Sequence, residues 1–476
     1  MTVQPVGPAG PFDGAQPFDA PRSLDGTEAL EPARVPQLSW EISLAAISTA
    51  VAGLALVLLG LVTRRTDVAV LGVPLVLGVL WTWLHRPRAA AGIRFGTLER
   101  VNRPGVVAHT LQFDAAPGVA AVLIRATAPG HRPVIALVGC ERPRSVRLSI
   151  TTVRTGEREM FALDYLQTGL DAVVRAEAAK VPPVKVTVLP GNRPLGQLPL
   201  PSRLQGLTGP HGSRRPGDGG DLHDINRFAS GDRLRRIDWR VTARRSAQLA
   251  GGGDPRQLSE LYVRRTFATA DATVMLVLDS RDDVGPDVST WGDASAVRQD
   301  EATSLDIARE AAASLARAYL DAGDRVGLED LGRMRRPVPP AGGRQQLHRL
   351  VQRLALAQPE GEPKRRKRAP RMPSGALLIV FSTFLDDDAA QLALLWRHAG
   401  HRVVAVDVLP KISKDPLPAR VLTAYRIIRM ERGDRLLALA RTGVEVVHWE
   451  GDPDGYGSEA EVEVALTALA RQRRMR

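Results

Sequence analysis

Asp232 and Asp238 lie in one short run with Arg233, Arg235, Arg236, Arg240, Arg244 and Trp239. Two carboxylates this close could share general-acid and general-base work in a carboxylate-dependent hydrolysis. The guanidiniums around them argue otherwise, because adjacent positive charge depresses a carboxyl pKa and makes a poor proton donor. The same residues suit an ion-paired brace, in which Asp fixes the geometry of Arg. Arg and Trp are also enriched at interface hot spots, so the run reads as a charge-paired hairpin that presents a docking surface.

Other catalytic patterns are absent. No Gly-x-x-x-x-Gly-Lys-Ser/Thr occurs, no Gly-x-Gly-x-x-Gly follows a strand, and there is no Gly-x-Ser-x-Gly elbow. The 9 His never fall in His-Glu-x-x-His spacing, which removes the usual zinc hydrolase pattern. Cys140 is the single cysteine, so neither an internal disulfide nor a thiolate metal cluster can form. The net charge of +12 points to nucleic acid or an anionic membrane surface. Aromatic residues make up only 4%, too few to interleave with the basic residues as a nucleic-acid groove requires. A basic nucleic-acid-binding membrane protein therefore stays a minor alternative.

A chain of 476 residues should hold two or three domains. Residues 1–38 are rich in Pro, Gly, Asp and Glu without periodicity and read as a disordered acidic tail. They lack the cationic start of a cleavable signal peptide. Within 39–88, two apolar runs (42–62 and 68–84) each approach the roughly 20 residues that cross a bilayer, the second interrupted by Pro74. Trp81 and Trp83 sit where an interfacial belt would place them. Arg86, Arg88, Arg94, Arg100 and Arg103 follow the second run, against Arg64 and Arg65 in the turn. That balance places the large C-terminal part in the cytoplasm.

Residues 92–204 alternate short β-like runs, such as 120–125, 133–138, 145–152 and 184–189, with Pro and Gly breaks. This predicts a β-sandwich, read as a spacer or interaction module. Residues 205–267 form a segment that opens on a Gly/Pro/Arg-rich connector, 206–220, and carries the Arg-Asp-Trp run. From 268 to 476, buried strands alternate with amphipathic helices, which predicts a doubly wound parallel sheet. Ligands to such sheets sit at the carboxyl ends of the strands, here Asp279, Ser382-Thr383 and Asp407.

The residues Arg227-Phe228, Gly231-Asp232, Arg236-Ile237-Asp238-Trp239 and Thr242-Ala243-Arg244, preceded by His223, resemble the signature of the bacterial "domain of unknown function 58" (DUF58) family. Phe228 stands where the family usually has Tyr. The resemblance implies a membrane hairpin, a β-rich region and a von Willebrand factor type A (vWA)-like α/β domain with a Rossmann-like sheet. Gly323-Asp324-Arg325-Val326-Gly327-Leu328 is similar to that fold's entry into its second strand. It further implies a MoxR-type AAA+ ATPase as protein partner in chaperone-like assembly.

A vWA domain commonly holds a divalent cation through an Asp-x-Ser-x-Ser element. Here that position reads Asp279-Ser280-Arg281-Asp282-Asp283. A guanidinium beside a cation is unfavourable, so the site is expected to be degenerate, with Asp279 and Asp283 holding Mg²⁺ weakly if at all. The basic run Lys364, Arg365, Arg366, Lys367, Arg368 lies in a Pro/Gly-rich loop suited to anionic lipid headgroups. The expectation is a membrane-anchored, non-enzymatic scaffold or adaptor with no cofactor. An uncharacterised carboxylate-dependent hydrolase is the competing reading.

Overall fold

A computed structural model describes residues 2–6, 39–99, 105–204, 209–249, 260–292, 297–333, 336–360, 368–413, 416–450 and 459–472. Two compact units account for the contacts: Met1–Val153 with Glu157–Val188, and Arg154–Gly156 with Leu189–Arg476.

The first unit opens with β1 (Thr2–Val6) and β2 (Trp40–Ile42), followed by helices α1 (Leu44–Val62) and α2 (Thr66–Leu84). β1 pairs antiparallel with β7 (Arg144–Thr151). The disordered-tail expectation is therefore corrected at Thr2–Val6, whose backbone pairs in register with Ser145–Ser149 of β7; residues 7–38 lie outside the described ones. Both helices are long and apolar enough to cross a membrane, and α2 runs through Pro74 without ending. They meet through glycines. A side chain at Gly60 would collide with Ala69, and one at Gly72 with the Gly53 carbonyl. Small residues let helix backbones approach this closely where apolar burial supplies no drive. Leu44, Val51, Leu61, Val62, Val70 and Leu71 consequently face outward, uncovered. The base of the hairpin is fixed to the unit: Ala46 and Val79 pack with Val173 and Val174, and β2 pairs with β10 (Val174–Ala176).

The remaining strands are β3 (Ile93–Glu99), β4 (Val106–Phe113), β5 (Ala121–Thr127), β6 (Val134–Gly139), β8 (Gly156–Met160), β9 (Ala162–Thr168), β11 (Ala179–Val181) and β12 (Val184–Val188). One sheet runs β1-β7-β4-β3 and the other β2-β10-β9-β5-β6. Alternate residues of both, Leu111, Phe113 and Leu148 from one, Val122, Ile124 and Leu163 from the other, enter a single core. Period-two alternation is what buries one face of each sheet.

The second unit begins with a long ribbon of β13 (His211–Arg227) against β14 (Tyr262–Ala270), with α3 (Trp239–Leu249) in between. Then follow β15 (Thr273–Leu278), α4 (Ser304–Asp321), β16 (Arg325–Asp330), β17 (Val338–Ala341), α5 (Arg344–Ala355), β18 (Leu377–Ser382), α6 (Asp388–His398), β19 (Arg402–Asp407), α7 (Ala419–Arg441), β20 (Glu445–His448) and α8 (Glu459–Gln472). The sheet order is β17-β16-β15-β18-β19-β20. All neighbours are parallel except β17, which joins β16 antiparallel and carries Pro339 and Pro340. Successive residues of β15 feed opposite cores. Val274, Leu276 and Leu278 pack with Ala311, Leu315, Leu350 and Leu466, and Met275 and Val277 with Ala393, Trp396 and Leu439. Helices thus cover both faces, and the strand order reverses between β15 and β18.

Candidate site: an Arg-Asp lattice at the sheet's switch point

In open α/β sheets the ligand crevice opens beyond the carboxyl ends of strands where the order reverses. Here that point lies between the ends of β15 and β18, and a buried guanidinium fills it. Arg281 bonds both Asp279 oxygens, Nε to Oδ1 at 2.8 Å and Nη2 to Oδ2 at 2.9 Å. Its Nη1 reaches Asp388 at 2.9 Å, and Nη2 donates to Asp386 at 3.1 Å. The Ser382 hydroxyl donates to Asp279 Oδ2 at 2.8 Å and accepts from the Phe384 amide at 3.1 Å. The Arg281 side chain is only 5% exposed. Burial alone would favour losing its proton, but the bonds and charges of Asp279 and Asp386 outweigh that and hold the guanidinium charged.

Two further carboxyls border the crevice. Burial, together with the charges of Asp279 and Asp386, pushes Asp282 up to about 6, against the Thr383 hydroxyl it accepts from at 3.0 Å. Burial also raises Asp330, whose Oδ1 accepts from Ser280 at 2.5 Å and from the Gly332 amide at 3.0 Å. Behind them, Asp407 at the end of β19 takes the Arg432 guanidinium of α7 and, at 2.6 Å, His448 Nδ1. Arg432 Nε donates to the Thr383 carbonyl at 2.8 Å, and Arg435 pairs with Asp387. Three arginines therefore stitch together the loops that a ligand would have to part. A cavity of about 30 Å³ beside Leu278, Asp330 and Arg333 has room for little more than a water. An open pocket of about 550 Å³ lies elsewhere in the unit, by Tyr319, Asp324 and His211; there His211 Nε2 already bonds the Asp324 carboxyl at 2.9 Å.

Because Asp282 binds a proton more tightly folded than unfolded, it withdraws stability as pH rises from about 4 through about 6. Asp282→Asn keeps an oxygen for Thr383 and removes the buried charge. The variant should be more stable than the parent by about 1 kcal/mol at pH 7 and no different at pH 4, read from urea midpoints.

Asp279 and Asp283 are not brought together by shared partners. Asp283 turns toward α4, where it accepts from the Leu305 amide at 3.4 Å and faces Arg154 at 3.6 Å. Among the described residues, no three His, Cys, Asp or Glu side chains are arranged to hold a metal ion. With Arg281 seated among the carboxylates, the residues present do not fit Mg²⁺.

The signature residues lie on a different surface, and their geometry corrects the hairpin expectation. Arg227 ends β13 and pairs with Glu260 at 3.0 Å. Gly231 takes φ +100 in the turn that follows, a conformation open to Gly at no steric cost. Asp232 closes that turn by accepting from the Ala229 amide at 2.9 Å and pairs with Arg265 of β14 at 3.3 Å. That amide bond first, and Arg265 with it, holds its pKa below the usual carboxylate range. A single 3-10 turn, Leu234–Arg236, leads to Asp238. Asp238 accepts from the Val241 amide at 3.1 Å and so caps α3. Thr242 is fully buried, accepting from the Tyr262 amide at 3.0 Å. The segment is thus turn, cap and helix. Its carboxylates bond the backbone and β14, and the Arg236 charge also acts on Asp232. What remains outward is Arg233, Leu234, Arg235, Trp239, Arg240 and Arg244, with Leu234 68% and Trp239 60% exposed; Arg236 is half-buried. Of the basic run, only Arg368 falls among the described residues.

Arg281 as occupant of the crevice, and Asp386 and Asp388 as its partners, were missed at the sequence level. The available signal was a basic residue among acids at a strand end. Residues 224–420 match the family model described as "Protein of unknown function DUF58". No curated protein and no solved structure gives a significant match. The DUF58 match thus covers the stretch that holds both α3 and the Arg281 crevice.

Proposed function

We propose that the protein is a membrane-anchored, non-enzymatic adaptor that docks a protein partner through the exposed face of α3 and the turn before it. The observation that carries this reading is the exposure of Trp239 and Leu234 among Arg233, Arg235, Arg240 and Arg244, on a segment held in place by the Asp238 cap and the Asp232 turn. A large indole and leucine kept in water on a well-braced scaffold suit an interface core. The braced crevice at the switch point agrees with a platform rather than a substrate cleft.

The family resemblance suggests the partner class, a MoxR-type AAA+ ATPase. Two features support a vWA-like fold for the second unit: the strand order and the antiparallel β17. The two sheets sharing one core support a β-sandwich in the first. The uncovered apolar faces of α1 and α2 support a bilayer as their surroundings, and Lys364, Arg365, Arg366, Lys367 and Arg368 fit contact with its anionic headgroups.

Capture of partners from membranes tests the docking surface. Intact protein should recover an AAA+ ATPase, and Trp239→Ala with Arg236→Ala should lower recovery at least about tenfold, the size of one hot-spot loss. Equal recovery by parent and variant removes the surface from the reading. Orientation is a separate matter, and a cytoplasmic C-terminal part follows from the Arg excess after α2. Cys140 is fully buried, so Cys140→Ser gives a silent background for single cysteines. A cysteine at exposed Arg344 should resist an impermeant thiol reagent in intact cells and react after lysis; labelling of intact cells reverses the topology.

A further inference from the structure

We propose that the Arg281 guanidinium is a built-in counter-charge that occupies the switch-point crevice in place of a divalent cation. Asp279, Asp386 and Asp388 each lie within hydrogen-bond distance of this one group, and the Ser382 hydroxyl completes the shell around Asp279. The loops after β15 and β18 therefore converge on a single buried positive charge. Asp279, 2% exposed and joined there by the more exposed Asp386 and Asp388, needs a counter-charge, since an unpaired buried charge is strongly destabilising. A metal would supply it through oxygen ligands in a compact, near-octahedral shell. Arg281 supplies it through a planar fork of donors that spreads the carboxylates to its own width. The cation is covalently part of the chain, so its presence cannot depend on the free ion concentration. This goes beyond the adaptor reading and does not need it: a failed partner capture leaves the cation behaviour unchanged.

The test uses the full chain in detergent, with Mn²⁺ as probe, read by electron paramagnetic resonance and thermal melting. The parent should leave Mn²⁺ free and melt at the same temperature in EDTA and in millimolar Mn²⁺. Arg281→Ser removes the internal cation and lets the carboxylates close on an ion. It should melt lower in EDTA, recover about 5 °C in Mn²⁺, and show a bound Mn²⁺ signal that adding Asp279→Asn abolishes. Arg281→Lys retains a charge in the crevice and should bind no Mn²⁺ even if the serine variant does not fold. Mn²⁺ bound by the parent and lost with Asp279→Asn overturns the proposal. So does Mn²⁺ bound by the lysine variant, or a folded serine variant that takes up none.

Discussion

Replacing Asp306 with Ala is expected to cost the second unit about 3–5 kcal/mol, because two buried guanidiniums lose their nearest carboxylate at once. Arg154 Nε lies 2.8 Å from Asp306 Oδ2 and Arg309 Nη1 lies 3.2 Å from Oδ1. Neither arginine side chain is more than 6% exposed. Asp306 also accepts from the Thr155 amide at 2.7 Å and the Thr303 amide at 3.1 Å, the latter as part of the capping box that starts α4. The variant should melt about 10 °C lower, from the same free energy spread over a unit of this size. Asp300→Ala serves as control. Its partner Arg298 is 62% exposed, and exposed pairs contribute under about 1 kcal/mol.

The pH dependence of this cluster has a definite sign. Burial pushes the Asp306 carboxyl up, but Arg154, Arg309 and the Thr155 bonds outweigh it and hold the group below its ordinary value. Its stabilisation is present above the unfolded carboxyl pKa, near 4, and is lost as pH falls through the depressed folded value. Asp306→Ala should therefore flatten the acid limb of the stability profile. Asp282 acts in the opposite direction at higher pH, so the parent's stability should fall between about pH 4 and 6 before levelling.

Asp407→Ala is the second large effect, again about 3–5 kcal/mol. The carboxylate is 1% exposed and shared by Arg432 and His448. Burial raises its pKa, but the His448 bond and the Arg432 charge prevail and keep it low. Its loss uncouples α7 from the end of β19. Amide exchange should thus rise across Ala419–Arg441 before the rest of the unit opens, whereas a merely global loss would accelerate all helices alike. Asp407→Asn retains a neutral acceptor and should lose less.

The alternation of strands and helices from Thr273 onward was readable, because strands buried on both faces are written as unbroken apolar runs such as Leu377–Phe381. Helix α3 was not. It is strongly polar, and its one clear sign is Asp238, whose carboxylate caps its first turn. Period-two reading found β5, β6 and β7, but not β1, whose register depends on β7 far along the chain. The cluster at Asp306 was equally invisible, since Arg154 and Thr155 are remote in sequence and only tertiary folding brings them there. Arg281 was noticed as an obstacle to a metal; that it takes the metal's place required Asp386 and Asp388 to be located in space.

The edge of the main sheet has its own consequence. β17, the edge strand, carries Pro339 and Pro340, and proline has no amide donor to give. Proline on an edge strand blunts the template for strand-to-strand addition. Copies of a sheet-bearing chain that reach high local concentration can meet edge to edge. The prolyl edge lets such copies crowd together without their sheets fusing into a continuous β-structure, leaving side-chain surfaces rather than backbone to decide what associates.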